Sequence, residues 1–157
     1  LNIAVGNSNE NISFTNQRLD TINHVAKTND KNTIQVPVNK LDDIIKITEI
    51  PSLMKIDVEG YESQVIKGAV NTLYENSLKA IIIELNGSGK RYGFDDNLIH
   101  ENLNRLGFQP YQYLPFERKL LLLKTYGNTN TIYIRDIDFV QKRLLYADKV
   151  KVLDKEI

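Results

Sequence analysis

SLMKIDVEGYESQVIKGA, residues 52–69, runs an apolar segment, Leu53-Met54-Lys55-Ile56, straight into two carboxylates, Asp57 and Glu59, with Gly60 behind them. Leu53 to Val58 reads as a strand. Beyond it, Tyr61, Val65, Ile66, Ala69, Val70 and Leu73 mark one face of a helix of about four turns. Ala80 to Leu85, AIIIEL, is then a continuous apolar run, the pattern of a strand covered on both faces in a parallel sheet. Strand, helix and strand over about thirty residues make a βαβ unit with a right-handed crossover. The strands at 53–58 and 80–85 are therefore expected to be parallel neighbours at the centre of a sheet.

Outward from this unit the pattern stays that of an α/β protein. Leu1 to Val5 reads as the end of a strand closed by the turn residues Gly6-Asn7-Ser8-Asn9. Asn11 to Thr15 is a short strand, residues 16 to 32 a polar loop, and Ile34, Val36 and Val38 alternate as a further strand. Pro37 favours an edge position for that strand. Leu41, Ile44 and Ile45 fall at helical spacing ahead of Pro51. Downstream, Leu98, Ile99, Leu103 and Leu106 predict a helix stopped by Gly107. Gln109 to Leu114 and Thr131 to Arg135 predict two more strands, and Phe139, Val140 and Leu144 a last helix. Residues 1–147 make one domain, followed by a charged tail, 148–157, expected to fray.

Composition excludes several function classes. The chain has 157 residues, 41% hydrophobic and 25% charged, which suits a single globular domain. Lys+Arg and Asp+Glu both number 20, so no net field draws nucleic acid or an acidic membrane surface. No cysteine is present, which removes disulfides, thiolate nucleophiles and zinc–thiolate sites and fits a reducing, cytoplasmic setting. No apolar run reaches the roughly 20 residues that a membrane helix needs, and no signal peptide is read. The chain opens at Leu1 without Met, directly on an apolar stretch, as a piece of something longer would.

In an open α/β sheet, ligands bind beyond the carboxyl ends of the strands, and Asp57 and Glu59 sit at such an end. Residues two apart on a strand share a face, provided the strand persists that far. Glu84 closes the next apolar run, about 4.8 Å away if the two strands are neighbours. Three carboxylates would then converge on one rim, suited to proton abstraction or to holding a cation. The plainer alternative is structural, with Asp57 or Glu59 accepting hydrogen bonds from amides near Tyr61 and Glu62 at the start of the helix. Asp57 and Glu84 lean towards function, because both interrupt otherwise apolar strands. NGSGKRYG, residues 86–93, lacks the spacing of a phosphate loop and reads as a loop overhanging the rim, from which Lys90, Arg91 or Tyr92 could touch a ligand. His24 and His100 have no metal-ligand spacing, and surface or capping roles are expected of them.

MKIDVEGYESQVIKGAVNTL followed by AIIIEL resembles the FkbM-type family of S-adenosylmethionine-dependent methyltransferases, in which an apolar strand leads into Asp-Val-Glu-Gly-x-Glu, a helix with Leu/Ile-x-Gly-Ala follows, and a strand ends in Glu. LNIAVGNSNENISF and VPVNKLDDII resemble earlier segments of the same family, so the likeness runs from the first residue to about Leu85. The resemblance implies a Rossmann-like class I methyltransferase sheet, mostly parallel with an antiparallel strand near the C-terminus. It implies S-adenosylmethionine as cofactor and a small-molecule or glycan hydroxyl as acceptor, with no nucleic-acid partner and no membrane span. It puts Asp57 beside the methionine end of the cofactor and the acceptor hydroxyl, Glu59 and Glu84 along the same mouth, and Ala4 and Val5 against the adenine. It assigns no metal.

The same comparison exposes what the sequence does not contain. The family opens on a strand with a glycine-rich turn and an acid after the second strand. None of the eight glycines here, Gly6, Gly60, Gly68, Gly87, Gly89, Gly93, Gly107 and Gly127, follows that pattern. The chain is therefore expected to be the carboxyl-terminal part of the domain, lacking its first two strands and inactive by itself. Two other readings stay open. One is a non-catalytic α/β module that keeps the fold. The other is a metal-dependent phosphoryl-transfer enzyme resembling haloacid-dehalogenase-like phosphatases, with Asp57 and Glu59 as its acids.

Overall fold

A computed structural model describes residues 1–16, 23–46, 49–127 and 129–156; the loop expected at 16–32 thus lies partly outside the described residues. Two sheets carry the fold. The larger has five strands, β4 (Leu53–Ile56), β5 (Ala80–Glu84), β6 (Gln109–Leu114), β7 (Lys119–Leu122) and β8 (Asn130–Ile134), in the order β4-β5-β8-β6-β7. The smaller joins β1 (Ala4–Val5), β2 (Glu10–Thr15) and β3 (Thr33–Asn39) in the order β1-β3-β2.

The βαβ reading holds at its centre. β4 and β5 are parallel, with Leu53 opposite Ala80 and Ile56 opposite Ile83. The expectation of a mostly parallel sheet does not hold among the described residues. β5–β8, β8–β6 and β6–β7 are all antiparallel, and β1–β3 is the one other parallel pair. The reason lies in the connections, since only 57–79 contributes a crossover to the larger sheet. Nor is β4 central: among the described residues it is an edge of that sheet, and Leu53 is 52% exposed. β5, by contrast, is nearly enclosed, with Ile81 and Ile83 fully buried.

The core lies on one face of this sheet, where Ile56, Ile81, Ile83 and Tyr133 meet Val65, Ile66, Ala69 and Leu73 from the crossover and Ile99 and Leu103 from α4 (Asp96–Arg105). Asp95 caps α4 by accepting from the Asn97 amide at 3.0 Å. Arg135, at the end of β8, donates to the carbonyls of Leu106 and Glu75 at 3.2 and 2.8 Å and also to that of Leu73. Its guanidinium lies over the Phe108 ring at 4.1 Å. One side chain thereby satisfies carbonyls left open where two helices end. The last helix, α5 (Ile137–Tyr146), begins at Asp136, which caps Phe139 and pairs with Lys79 at 3.0 Å.

The single helix expected from Tyr61 to Leu73 is two. α2 (Glu62–Lys67) ends at Gly68, and α3 (Val70–Tyr74) starts afresh after Ala69. Apolar periodicity runs through the break, so the sequence hides it. Two contacts from outside the crossover meet the chain at this break. The Gly6 carbonyl lies where a Cβ on Gly68 would stand, and the Gly68 carbonyl accepts from the Asp42 amide at 3.0 Å. Asp42, in α1 (Leu41–Ile44), also receives the amides of Asn71 and Thr72 at 2.8 and 2.9 Å and the Thr72 hydroxyl at 2.8 Å. A remote carboxylate thus caps α3.

Two smaller expectations also change. Pro37 lies in β3, the middle strand of its sheet, opposite Asn11. β1 reaches only Val38 and Asn39, so one side of β3 is unpaired at Pro37, where a missing N–H is tolerated. The tail does not simply fray: Lys151–Val152 (β9) and Lys155–Glu156 (β10) pair as an exposed hairpin.

The close approach of Gly6 to Gly68 makes a sharp prediction. Gly68→Ala should cost about 2–4 kcal/mol, because the neighbouring atoms are backbone and cannot rotate away. Chemical denaturation measures it; a loss below about 0.5 kcal/mol would show that the small sheet is not seated there.

Candidate functional site

The rim is built where β4 and β5 end. The last pair of the two strands is Ile56 with Ile83, and Asp57 and Glu84 are the residues that follow it on the two chains. Glu84, the last residue of β5, points to the side opposite the core residue Ile83. Glu84 is half-buried, and neither its carboxylate nor that of Glu59 makes a hydrogen bond or ion pair with another described residue. Asp57 is engaged. Lys55, two residues back on the same face, places Nζ 2.6 Å from Asp57 Oδ2.

Glu59 does not join them by alternation. The strand stops at Ile56, and the chain turns through two left-handed residues, Glu59 at φ 53° and Gly60 at φ 99°. Glycine is required at the second position on two counts. Its φ is costly for other residues, and a Cβ there would meet the Ser88 carbonyl at 2.7 Å.

The helix-start reading had the right idea and the wrong acid. Glu62, 3% exposed, reaches back and accepts from the amides of both Val58 and Gly60 through Oε1, each at 3.2 Å. A second buried acid, Asp96, accepts from the Gly87 amide at 2.8 Å. These two carboxylates brace the two backbone segments that form the rim, and sequence reasoning passed over both. A signal existed for Glu62, since a first-turn glutamate commonly reaches back to an amide at the helix start. Burial pushes the Glu62 carboxyl above the usual glutamate range, while its backbone hydrogen bonds act the other way and the charge of Asp96 adds to the rise.

The 86–93 segment does overhang this turn. Ser88–Tyr92 forms a 3₁₀ turn seated on Gly60, and Tyr92 packs between Tyr61 and Phe94 at centroid distances of 5.6 and 5.9 Å. The Tyr92 hydroxyl donates to the Val25 carbonyl at 2.8 Å, tying the turn to the loop between β2 and β3, while Lys90 and Arg91 stay exposed.

Ala4 and Val5 are half-buried in β1. The next residue, Gly6, is close enough to Tyr61 that an added Cβ would stand 3.5 Å from its ring. β1 therefore finishes beside the turn that follows β4, although the two strands are not paired.

His100 is not the surface or capping residue expected of it. It is half-buried, with Nδ1 2.7 Å from the Tyr133 hydroxyl and Nε2 3.0 Å from Asn104 Nδ2. Among the described residues no group of three or more acidic, histidine or cysteine side chains could hold a metal ion. No helix among them is long and apolar enough to cross a membrane.

A domain with this parallel pair, this carboxylate rim and the Asp57-Val58-Glu59-Gly60 turn has the parts of a methyltransferase-like α/β fold. The family model described as the methyltransferase FkbM domain matches residues 2–110, and the chain belongs to that family. Searches of curated proteins and of solved structures find no match.

Glu62 supplies a test of the rim's support. Its raised pKa means that the folded chain holds a proton which the unfolded chain releases, so stability falls as pH rises from the ordinary glutamate range through the raised value. Glu62→Gln keeps an acceptor for both amides and should abolish that decline above about pH 4. Glu62→Ala should cost about 1–3 kcal/mol at every pH, because it leaves buried amides without a partner. Thermal unfolding across pH measures both. An alanine variant as stable as the wild type would contradict the bracing role.

Proposed function

We propose that this chain is the part of an S-adenosylmethionine-dependent O-methyltransferase that carries its acceptor rim, acting on a hydroxyl of a small molecule or glycan. The observation that carries the reading is that Asp57 directly follows β4 and Glu84 ends β5, at the carboxyl ends of two parallel strands, in a chain of the FkbM methyltransferase family. The donor set suits such a cofactor. Half-buried carboxylates without partners among the described residues favour a ligand that brings cationic or hydroxyl groups, and Ala4 and Val5 offer apolar surface near the same turn.

When bound, the cofactor supplies an electrophilic methyl group on a positively charged sulfur. Asp57 is assigned to accept the proton of the acceptor hydroxyl as its oxygen forms the new bond to carbon. Glu84, and Glu59 from the turn, are assigned to hold acceptor hydroxyls by hydrogen bonds. Ala4 and Val5 contact the adenine. The 3₁₀ turn at Ser88–Tyr92 packs against Gly60 beside the rim. Orientation supplies the rest, since in-line displacement is steeply sensitive to alignment. A cysteine-free chain suits the reducing cytoplasm as the place of action.

Asp57→Asn in the full-length protein should lower turnover by about 10²–10⁴-fold while leaving the fold intact. Transfer of labelled methyl from S-adenosylmethionine to a panel of sugars and glycans measures it. A rate within threefold of wild type would move the base to Glu84 or Glu59.

A further inference from the structure

We propose that Lys55 is a resident counter-cation for Asp57, and that it sets how strongly the site prefers a positively charged cofactor over its neutral product. The inference rests on the cofactor reading above. It starts from geometry: Lys55 Nζ stands 2.6 Å from Asp57 Oδ2, with the two side chains 55% and 35% exposed. A lysine on an edge strand has a plain use, discouraging another strand from pairing there. That use asks only for an exposed charge. This lysine instead runs forward along its strand and closes on Asp57, the one of the three rim carboxylates with a partner among the described residues.

The consequence follows from where charge goes. In methyl transfer the sulfur begins as a sulfonium and ends as a neutral thioether, while the acceptor's proton passes to a carboxylate. A lone carboxylate facing the sulfonium would stabilise the ground state more than the transition state, in which the sulfur's charge is already falling. Such an interaction tightens binding without speeding the reaction. An ammonium in contact with that carboxylate cancels much of its field at the sulfur. Lys55 therefore relaxes the hold on the charged cofactor. It is a positioning residue, acting through Asp57.

The test is the ratio of affinities for S-adenosylmethionine and S-adenosylhomocysteine, measured by calorimetry on the full-length protein. In Lys55→Met the ratio should rise about three- to fivefold in favour of the charged ligand, the size expected of a partly exposed ion pair. It should fall back towards the wild-type value as salt is raised to about 0.5 M. Lys55→Arg should keep the wild-type ratio, and Lys55→Met combined with Asp57→Asn should lose the rise. Lys55→Gln provides a second neutral variant if the methionine form folds poorly. The inference fails if the neutral variants stay within 1.5-fold of wild type, if arginine shifts the ratio as far as methionine does, or if the rise survives without Asp57. Wild-type protein that binds neither ligand would instead overturn the cofactor reading itself, and this inference with it.

Discussion

The rim depends on one buried carboxylate that does not belong to it. Glu62 holds the amides of Val58 and Gly60 on a single oxygen, and those amides frame the residue pair that turns left-handed. Left-handed backbone at a glutamate is unfavourable, so the turn needs fixed partners. With them in place, Asp57 stays at the end of β4, as Glu84 does at the end of β5. Without an acceptor inside the turn, two buried donors would be orphaned where the chain leaves the sheet. Asp96 does the parallel task for the overhanging segment by binding Gly87.

These two braces separate support from chemistry. Of the three acids in the Asp-Val-Glu-Gly-Tyr-Glu run, the last is buried and bonded inward, whereas the first faces the rim. A similar division recurs at Leu41-Asp42-Asp43. Asp42 caps α3, and Asp43 receives the side-chain amide of Asn9 at 2.8 Å. Asp42 ties α1 to the crossover and Asp43 ties it to the small sheet's Asn9, with Gly68 allowing the backbones to meet. Much of what makes the family's motif distinctive is, in this chain, the requirement for close packing behind the site.

Legibility in the sequence followed how local each cause was. The β4–helix–β5 unit could be read because apolar runs and helical spacing report directly on burial. Asp57 and Glu84 could be read because a charge ending an apolar strand stands out. The break at Gly68 could not, since the carbonyl that meets it lies 62 residues away in sequence, and the apolar spacing continues across it. The edge position of β4 was hidden for a related reason. An apolar run predicts cover on both faces and says nothing about partners along the strand's edge. His100 was misjudged because its partner, Tyr133, is brought to it only by the antiparallel packing of β8.

The central claim is that the carboxyl ends of β4 and β5 form the ligand-binding rim. A crystal structure of the full-length protein with S-adenosylhomocysteine tests it most directly. The account predicts that the ligand's homocysteine end lies within hydrogen-bonding or van der Waals reach of Asp57, with its adenine against Ala4 and Val5. A ligand seated away from this rim, with the turn through Glu59 and Gly60 untouched, would contradict it.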